Sequence, residues 1–232
     1  MDEQNLREEM CAVGQRLWER GLVGAAEGNI SARLGPDRIL CTPSGISKGH
    51  MRPDDLLVID GEGKGIEVSR CRGFDSVSSN TPIPQHTNTV PMPSSEIKLH
   101  LRILQRRADC MAVVHAHPPI ATGFSVAGVP IPDDLLPESI YVLGSVVTVP
   151  FCMPGTDEVP DGVDPLLDDH KTFLLSHHGA ATMGKDLWDA YNRMETLERV
   201  SKVILVARLL DGPKPLPDKA LAQLRKAITG IL

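Results

Sequence analysis

The first twenty residues carry apolar side chains at regular intervals in an otherwise polar and charged segment. The apolar positions recur every three or four residues, at Leu6, Met10, Val13 and Leu17. This spacing places them on one face of an α-helix, and the Gly21 that follows is a common helix terminator. The pattern therefore predicts an amphipathic helix over residues 4–20 with one buried face.

Short apolar runs, separated by turn-forming residues, follow this helix. They predict strands over residues 29–34, 38–41 and 56–60, with 66–68 as a candidate hairpin partner. Gly35-Pro36-Asp37 separates the first two runs, and Gly61-Glu62-Gly63 follows the third.

The second half of the chain alternates predicted strands with predicted helices. Strands are expected over 111–117, 143–150 and 171–178, and helices over 95–107, after Pro118-Pro119, over 186–210 and over 217–229. Ser94 or Ser95 is the expected N-cap of the first of these helices. Because strands and helices interleave, the sequence predicts an α/β or α+β fold.

Residues 69–91 differ in composition, since they are rich in Ser, Asn, Thr and Pro and poor in large apolar residues. A stretch of this length without periodicity is unusual inside a compact domain. We therefore interpret it as a mobile surface insertion, and we expect neither Cys71 nor His86 to be a ligand. No clear linker divides the chain, which favours a single domain over residues 1–232.

The composition argues against a nucleic-acid-binding, membrane-spanning or secreted protein. The 232 residues carry a net charge of −6 and 41% hydrophobic residues, which suits a globular core without a basic surface for nucleic acid. No apolar run reaches membrane-spanning length, and the polar N-terminus argues against a signal peptide. The five cysteines are widely spaced, which is typical of reduced thiols. We expect a cytoplasmic protein that binds neither nucleic acid nor membrane.

Three histidines and one glutamate are the strongest candidates for chemistry. His115 and His117 lie two residues apart on a predicted strand, so their side chains point to the same side. His178 ends another predicted strand, and Glu96 follows a serine pair at the start of a predicted helix. Each feature alone is compatible with a structural role, but together they predict a divalent-metal site. Imidazole ligands favour zinc, with manganese or cobalt as substitutes, and three protein ligands leave an open position typical of catalysis.

Three turns of small residues are candidates for binding an anion: Gly28-Asn29, Thr42-Pro43-Ser44-Gly45 and Ser94-Ser95. The last opens a predicted helix, whose free N–H groups and dipole attract negative charge. Hydroxyl and glycine N–H groups of the other turns could complete a phosphate site. The chain has no Walker loop or dinucleotide fingerprint, so nucleotide chemistry is disfavoured.

These segments, in this order and spacing, resemble the class II aldolase and adducin family from about residue 5 to residue 212, interrupted at 69–91. The matching strings are Glu27-Gly28-Asn29-Ile30-Ser31, Thr42-Pro43-Ser44-Gly45, Ser94-Ser95-Glu96, His115-Ala116-His117-Pro118 and His178-Gly179. The resemblance implies a three-layer α/β/α sandwich around a mostly antiparallel central sheet. It also implies a homotetramer with active sites at subunit interfaces.

The resemblance assigns roles to the candidate residues. The zinc ligands would be His115, His117 and His178, the last in preference to His177. Glu96 would be the catalytic carboxylate and could also touch the metal. The residues around a substrate phosphate would be Gly28, Asn29, Ser44, Gly45, Ser94 and Ser95. Aldolases of this family use a tyrosine as a further proton donor, for which Tyr141 is the candidate, with Glu138 as a rival; Tyr191 is expected in the core.

The resemblance therefore implies a zinc-dependent aldolase, a lyase of carbohydrate metabolism. It would cleave a ketose 1-phosphate similar to L-fuculose 1-phosphate to dihydroxyacetone phosphate and an aldehyde, through a metal-stabilised enediolate. The alternatives are a sugar-phosphate epimerase, dehydratase or decarboxylase that uses the same site, or a non-enzymatic adducin-like interaction module. The presence of all three histidines and the glutamate disfavours the last of these.

Overall fold

The computed structural model describes residues 2–67 and 92–229. The predicted mobile insertion at 69–91 lies outside the described residues. The described helices are α1 (Glu3–Glu19), α2 (Ile97–Arg106), α3 (Pro119–Val126), α4 (Glu158–Val163), α5 (Leu187–Leu209) and α6 (Asp218–Thr229). All the expected helices are present. The short helix α4 was not expected, because Pro160 and Gly162 make its sequence a poor helix former.

The described strands form one sheet in the order β4-β3-β2-β1-β5-β8-β7-β6. They are β1 (Asn29–Gly35), β2 (Arg38–Cys41), β3 (Leu57–Ile59), β4 (Gly65–Glu67), β5 (Ala112–Ala116), β6 (Val146–Val149), β7 (Thr172–Leu175) and β8 (Gly179–Gly184). Neighbouring strands are antiparallel, except that β6 and β7 are parallel. The mostly antiparallel central sheet is therefore confirmed.

Three local predictions are wrong. The strand expected over 171–178 ends at Leu175, and a turn leads into the unpredicted strand β8. The strand expected over 143–150 begins at Val146, because Ser139–Leu143 forms a π-helical turn. Neither serine is the N-cap of α2: Glu96 holds that position, and the helix opens with a backbone bond of 3.0 Å from the Ile97 N–H to the Ser94 carbonyl.

Successive side chains of the strands alternate between two apolar cores, one on each face of the sheet. On one face, strand residues such as Ile30 and Val114 pack with α1, α3 and α5. On the other face, strand residues such as Val113 and Phe173 pack with α2 and α4. This arrangement confirms the three-layer α/β/α sandwich. Because His115 lies two residues after Val113 on β5, it faces the α2 side of the sheet.

Strand β8 was not predicted because its composition is set by close packing against the long helix α5. A Cβ at Gly184 would lie 2.3 Å from the backbone nitrogen of Ala190 in α5, so only glycine fits where helix and strand meet. All six residues of β8 are buried and small or unbranched except Thr182. Tyr191, on the same helix, is 1% exposed, which confirms that it belongs to the core. Among the described helices, none is both long enough and apolar enough to cross a membrane.

Candidate metal centre

The predicted metal ligands come together where β5 ends and β8 begins. His115 pairs with Asn29 on β1 and with Ala181 on β8. His117 follows β5 directly, and His178 lies in the turn just before β8. Glu96 reaches the same place from the start of α2, which packs on this face of the sheet. Three segments that are distant in sequence therefore form a single cluster: one contributes both His115 and His117, and the other two contribute one side chain each.

The cluster has the dimensions of a metal site. The possible ligand atoms of Glu96, His115, His117 and His178 all lie within 4.8 Å of one another. Glu96 places Oε2 3.2 Å from His115 Nε2 and Oε1 2.9 Å from His178 Nε2. The Nε2 atoms of His115 and His117 are 3.3 Å apart. Ligand atoms about 2.1 Å from a tetrahedral ion are roughly 3.4 Å from one another, so these side chains fit a small four-coordinate ion.

His115 has the ring orientation, and His117 the neutral charge, that ligation requires. Nδ1 of His115 lies 2.9 Å from the carbonyl oxygen of Ala180. A proton on Nδ1 is donated to that oxygen, which leaves the lone pair of Nε2 free for a metal. Burial, together with the charges of His115 and His178, lowers the pKa of His117 to about 4. Its ring is therefore neutral at neutral pH, as metal binding demands.

Glu96 is held as a carboxylate. Burial raises its pKa, but the contacts with the imidazoles of His115 and His178 lower the pKa more, to well below its usual range. Asn29 Nδ2 donates to Glu96 Oε2 at 3.2 Å and to Ser94 Oγ at 3.1 Å. The carboxylate is therefore fixed in place, where it can bind a cation or exchange a proton with a bound substrate.

The three candidate phosphate turns adjoin this centre. The bond from Asn29 to Ser94 joins the first turn to the third. The Ser44 N–H donates to the carbonyl of Met92 at 2.8 Å, which places the second turn beside the third. Gly28 has a φ of 68°, and a Cβ there would lie 2.7 Å from the His115 carbonyl oxygen. Gly28 and Asn29 are buried, Ser94 is half-buried, and Ser44, Gly45 and Ser95 are exposed. Their role in phosphate binding stays a prediction.

Tyr141 is not part of the cluster. It lies in the π-helical turn Ser139–Leu143 and is 47% exposed. Within the described ranges, no hydrogen bond joins Tyr141 to the clustered side chains, and its rival Glu138 directly precedes the same turn. A role for either residue at a site shared between subunits stays a prediction.

The sequence predicted no functional role for three further residues near the centre. Glu27 Oε2 lies 3.6 Å from His117 Nδ1. His100 is fully buried, with Nδ1 2.7 Å from Ser31 Oγ, and burial lowers its pKa to about 3. Lys48 is buried beside two of the candidate phosphate turns. Signals existed for the first two, since Glu27 adjoins the Gly28 turn and His100 follows Glu96 by one helical turn.

Gly179 is expected to be necessary for the geometry of the centre. A Cβ at this position would lie 2.5 Å from the Ala116 carbonyl oxygen and 2.6 Å from Cδ2 of His117. We expect Gly179→Ala to displace the His117 ring and to weaken metal binding about tenfold or more. Overpacking should also lower the free energy of unfolding by ~1–3 kcal/mol. Metal titration and thermal unfolding would measure the two effects.

Gly123→Ala is the matched control for this change. Gly123 lies in α3, and nothing lies within 4 Å of a Cβ placed there. Alanine is the better helix former by roughly 1 kcal/mol, so this variant should be at least as stable as the parent and should bind metal equally well. Equal metal affinities for the two alanine variants would contradict the expectation.

The chain is similar in sequence to known proteins. Residues 8–205 match the family described as Class II Aldolase and Adducin N-terminal domain. The chain is 29% identical over 208 residues to the 3-oxo-tetronate 4-phosphate decarboxylase of Escherichia coli strain K12, with 88% of each protein covered. It is 28% identical to the L-fuculose phosphate aldolase of Methanococcus maripaludis, over 84% of this chain and 93% of that protein.

The fold is also shared with solved structures. The crystal structure of YgbL from Escherichia coli is similar with a TM-score of 0.81 and 27% identity, over 96% of this chain and 99% of that one. The family match covers most of the chain, and the relatives are matched over nearly their full lengths. This chain therefore belongs to the class II aldolase and adducin family.

Proposed function

We propose that this protein is a metal-dependent lyase that decarboxylates a 3-oxo sugar-acid phosphate, with 3-oxo-tetronate 4-phosphate as the first candidate substrate. The observation that carries the proposal is that Glu96 is the carboxylate clustered with His115, His117 and His178 in the described part of the chain, next to turns suited to a phosphate. The similarity to the Escherichia coli decarboxylase supports the same choice.

The reaction needs one bond cleavage and one proton. In 3-oxo-tetronate 4-phosphate the carboxylate carbon, C1, is β to the C3 carbonyl. The electrons of the C1–C2 bond can therefore move toward the C3 oxygen as carbon dioxide leaves. The resulting enediolate takes a proton at C2, which gives dihydroxyacetone phosphate. A bound divalent ion, which we propose to be zinc, would supply a Lewis acid for the charge that develops on the C3 oxygen.

Glu96 is the residue we assign to the proton transfer. Because its carboxylate is ionised in the described arrangement, it must first take a proton from water and then deliver it to C2. Asn29 holds the carboxylate through Nδ2, which restricts delivery to one face of the enediolate. One acid–base group is sufficient for this reaction, because carbon dioxide leaves without a proton donor.

The turns around Gly28, Ser44 and Ser94 would bind the phosphate at the other end of the substrate. Their backbone N–H groups and hydroxyls offer the donors that phosphate oxygens accept. Binding both ends of a short substrate fixes the reacting carbons relative to Glu96, and such orientation contributes strongly to rate.

Aldol cleavage of a ketose 1-phosphate is the second candidate, favoured by the similarity to the Methanococcus maripaludis aldolase. It would also pass through an enediolate, but it needs a second group to remove a proton from the hydroxyl of the departing aldehyde. Tyr141 is exposed and outside the cluster of its own chain. The aldolase therefore depends on the expected homotetramer, in which a neighbouring subunit would supply this group.

A carbon balance separates the two reactions, because both form dihydroxyacetone phosphate. Zinc-loaded protein would be incubated with 3-oxo-tetronate 4-phosphate labelled with carbon-13 at C1 and, separately, with L-fuculose 1-phosphate. We expect labelled carbon dioxide and bicarbonate by NMR from the first substrate, and no aldehyde from the second. Release of an aldehyde without decarboxylation would overturn the proposal in favour of the aldolase. Epimeric or dehydrated products from other sugar phosphates would point to the remaining family reactions.

A further inference from the structure

Lys48 is a buried cation without an anionic partner in the described part of the chain. The residue is 1% exposed. Its Nζ donates to the carbonyl oxygen of Ile46 at 2.7 Å and to that of Ala26 at 3.2 Å. Burial lowers the pKa of Lys48 to about 8, so the ammonium group stays mostly protonated at neutral pH. A buried charge that is bound only by neutral carbonyls is costly, and an apolar side chain would fill the space without that cost.

The two carbonyls flank two of the candidate phosphate turns. Ile46 directly follows the Ser44-Gly45 turn, and Ala26 lies two residues before Gly28. The segments 24–29 and 42–48 contain no other lysine or arginine, and Glu27 adds a negative charge. Lys48 therefore carries the only positively charged side chain of these two segments. A phosphate dianion bound in the turns would be attracted to it.

The backbone of Lys48 is held tightly against α1, which fixes the position from which the side chain extends. A Cβ at Gly14 of α1 would lie 2.7 Å from the Lys48 carbonyl oxygen. A Cβ at the next residue, Gly49, would lie 2.5 Å from the ring of Trp18. Glycine at both positions permits this close approach, so packing against α1 fixes the backbone from which the Lys48 side chain reaches the turns.

We propose that Lys48 is the positioning residue of the phosphate site: it ties the Gly28 turn to the Ser44-Gly45 turn and supplies the positive charge that complements a bound phosphate dianion. The proposal rests on the phosphate site of the proposed function. The proposal explains why a buried charge is present at this position. The desolvation cost of the ammonium group is offset by attraction to the phosphate when substrate is bound.

The test compares Lys48→Met and Lys48→Gln with the parent, as zinc-loaded proteins of residues 1–232, and inorganic phosphate is the probe. Methionine keeps the length of the side chain but removes the charge and the donors, whereas glutamine keeps N–H donors without the charge. We expect phosphate to bind each variant about tenfold or more weakly than the parent by calorimetric titration. In the decarboxylation assay, KM should rise by a similar factor while kcat changes by no more than about threefold.

Thermal unfolding and zinc content distinguish this role from a structural one. Removal of a buried unpaired charge should leave the melting temperature of Lys48→Met equal or higher, with unchanged zinc content, even as phosphate affinity falls. Lys64→Met is the control, because Lys64 is exposed and pairs with Glu62 away from the turns. It should bind phosphate as the parent does.

The experiment distinguishes failure of the proposed role of Lys48 from failure of the proposed phosphate site. Phosphate affinities of both Lys48 variants within about twofold of the parent would overturn the role of Lys48 and leave the phosphate site intact. A fall in phosphate affinity that only follows a fall in melting temperature and zinc content would also overturn it, in favour of a structural lysine. Parent protein that binds zinc but neither inorganic phosphate nor a phosphorylated substrate would overturn the phosphate site itself.

Discussion

Changing His178 to asparagine is expected to lower the affinity of the protein for zinc by roughly a hundredfold or more, because the ion loses one of its proposed ligands. The same change at the adjacent His177 is expected to leave the affinity within about twofold. His178 is 12% exposed and places Nε2 2.9 Å from Glu96 Oε1. His177 is exposed and lies outside the cluster, with its ring 6.4 Å from that of Phe151.

Asparagine is the appropriate substitution at both positions. His177 has a φ of 56°, and asparagine tolerates this left-handed conformation better than alanine does. The backbone N–H of His177, which donates to Ser125 Oγ at 3.2 Å, is kept. The pair of variants therefore differs in which imidazole is lost and in little else.

Competition against a chromophoric chelator would measure the zinc affinities, and the decarboxylation assay would follow at one fixed zinc concentration that just saturates the parent. We expect His178→Asn to lose activity in proportion to its metal, and His177→Asn to retain both. A larger zinc loss at His177 would show that the ligand set is wrong. Full zinc binding by both variants would remove His178 from the centre.

The fold was largely predictable because its elements carry strong local patterns. The stripe of Leu6, Met10, Val13 and Leu17 is fully reproduced as the buried face of α1. Strand β8 was not predictable, because its glycines and alanines are small enough for α5 to pack closely against the strand but have low strand propensity. The closeness of a helix that comes later in the chain is a tertiary property, and it leaves no periodic signal in the strand itself.

The candidate centre was predictable for a different reason. His115 and His117 share a face through the two-residue period of a strand, and the resemblance selected His178 over His177. What the pattern could not supply is the convergence of Glu96, which depends on α2 packing against the correct face of the sheet. Lys48 carried no signal at all, since a lysine after a turn is ordinarily solvent-exposed.

Glu96→Gln is expected to reduce kcat about a hundredfold to ten-thousandfold, the usual contribution of a general acid or base. Glutamine has the same shape, and its amide oxygen can still contact a cation, but it cannot carry a proton. Zinc affinity should therefore fall much less than activity, by about tenfold. This difference separates the two roles of Glu96, because a residue that served only as a ligand would lose metal and activity together.

Hydrogen exchange into dihydroxyacetone phosphate tests the role of Glu96 whichever of the two candidate reactions the protein catalyses. Dihydroxyacetone phosphate is incubated with zinc-loaded protein in deuterium oxide, and proton NMR follows its hydroxymethyl group. By microscopic reversibility, either reaction requires the enzyme to remove one hydrogen from this carbon. We expect the parent to exchange one of the two hydrogens stereospecifically and Glu96→Gln to exchange neither at a comparable rate.

Glu27→Gln is the matched control for this experiment, because Glu27 is a second carboxylate at the same centre. Its Oε2 lies 3.6 Å from Nδ1 of His117, and its side chain is 49% exposed. It faces the far side of the imidazole from the proposed ligand atom, so its loss should weaken zinc binding modestly and leave stereospecific exchange within about tenfold of the parent. Exchange that survives in Glu96→Gln but is abolished in Glu27→Gln would transfer the proton chemistry to Glu27. Since only Glu96 is held by Asn29 and hydrogen-bonded to His115 and His178, we expect the opposite result.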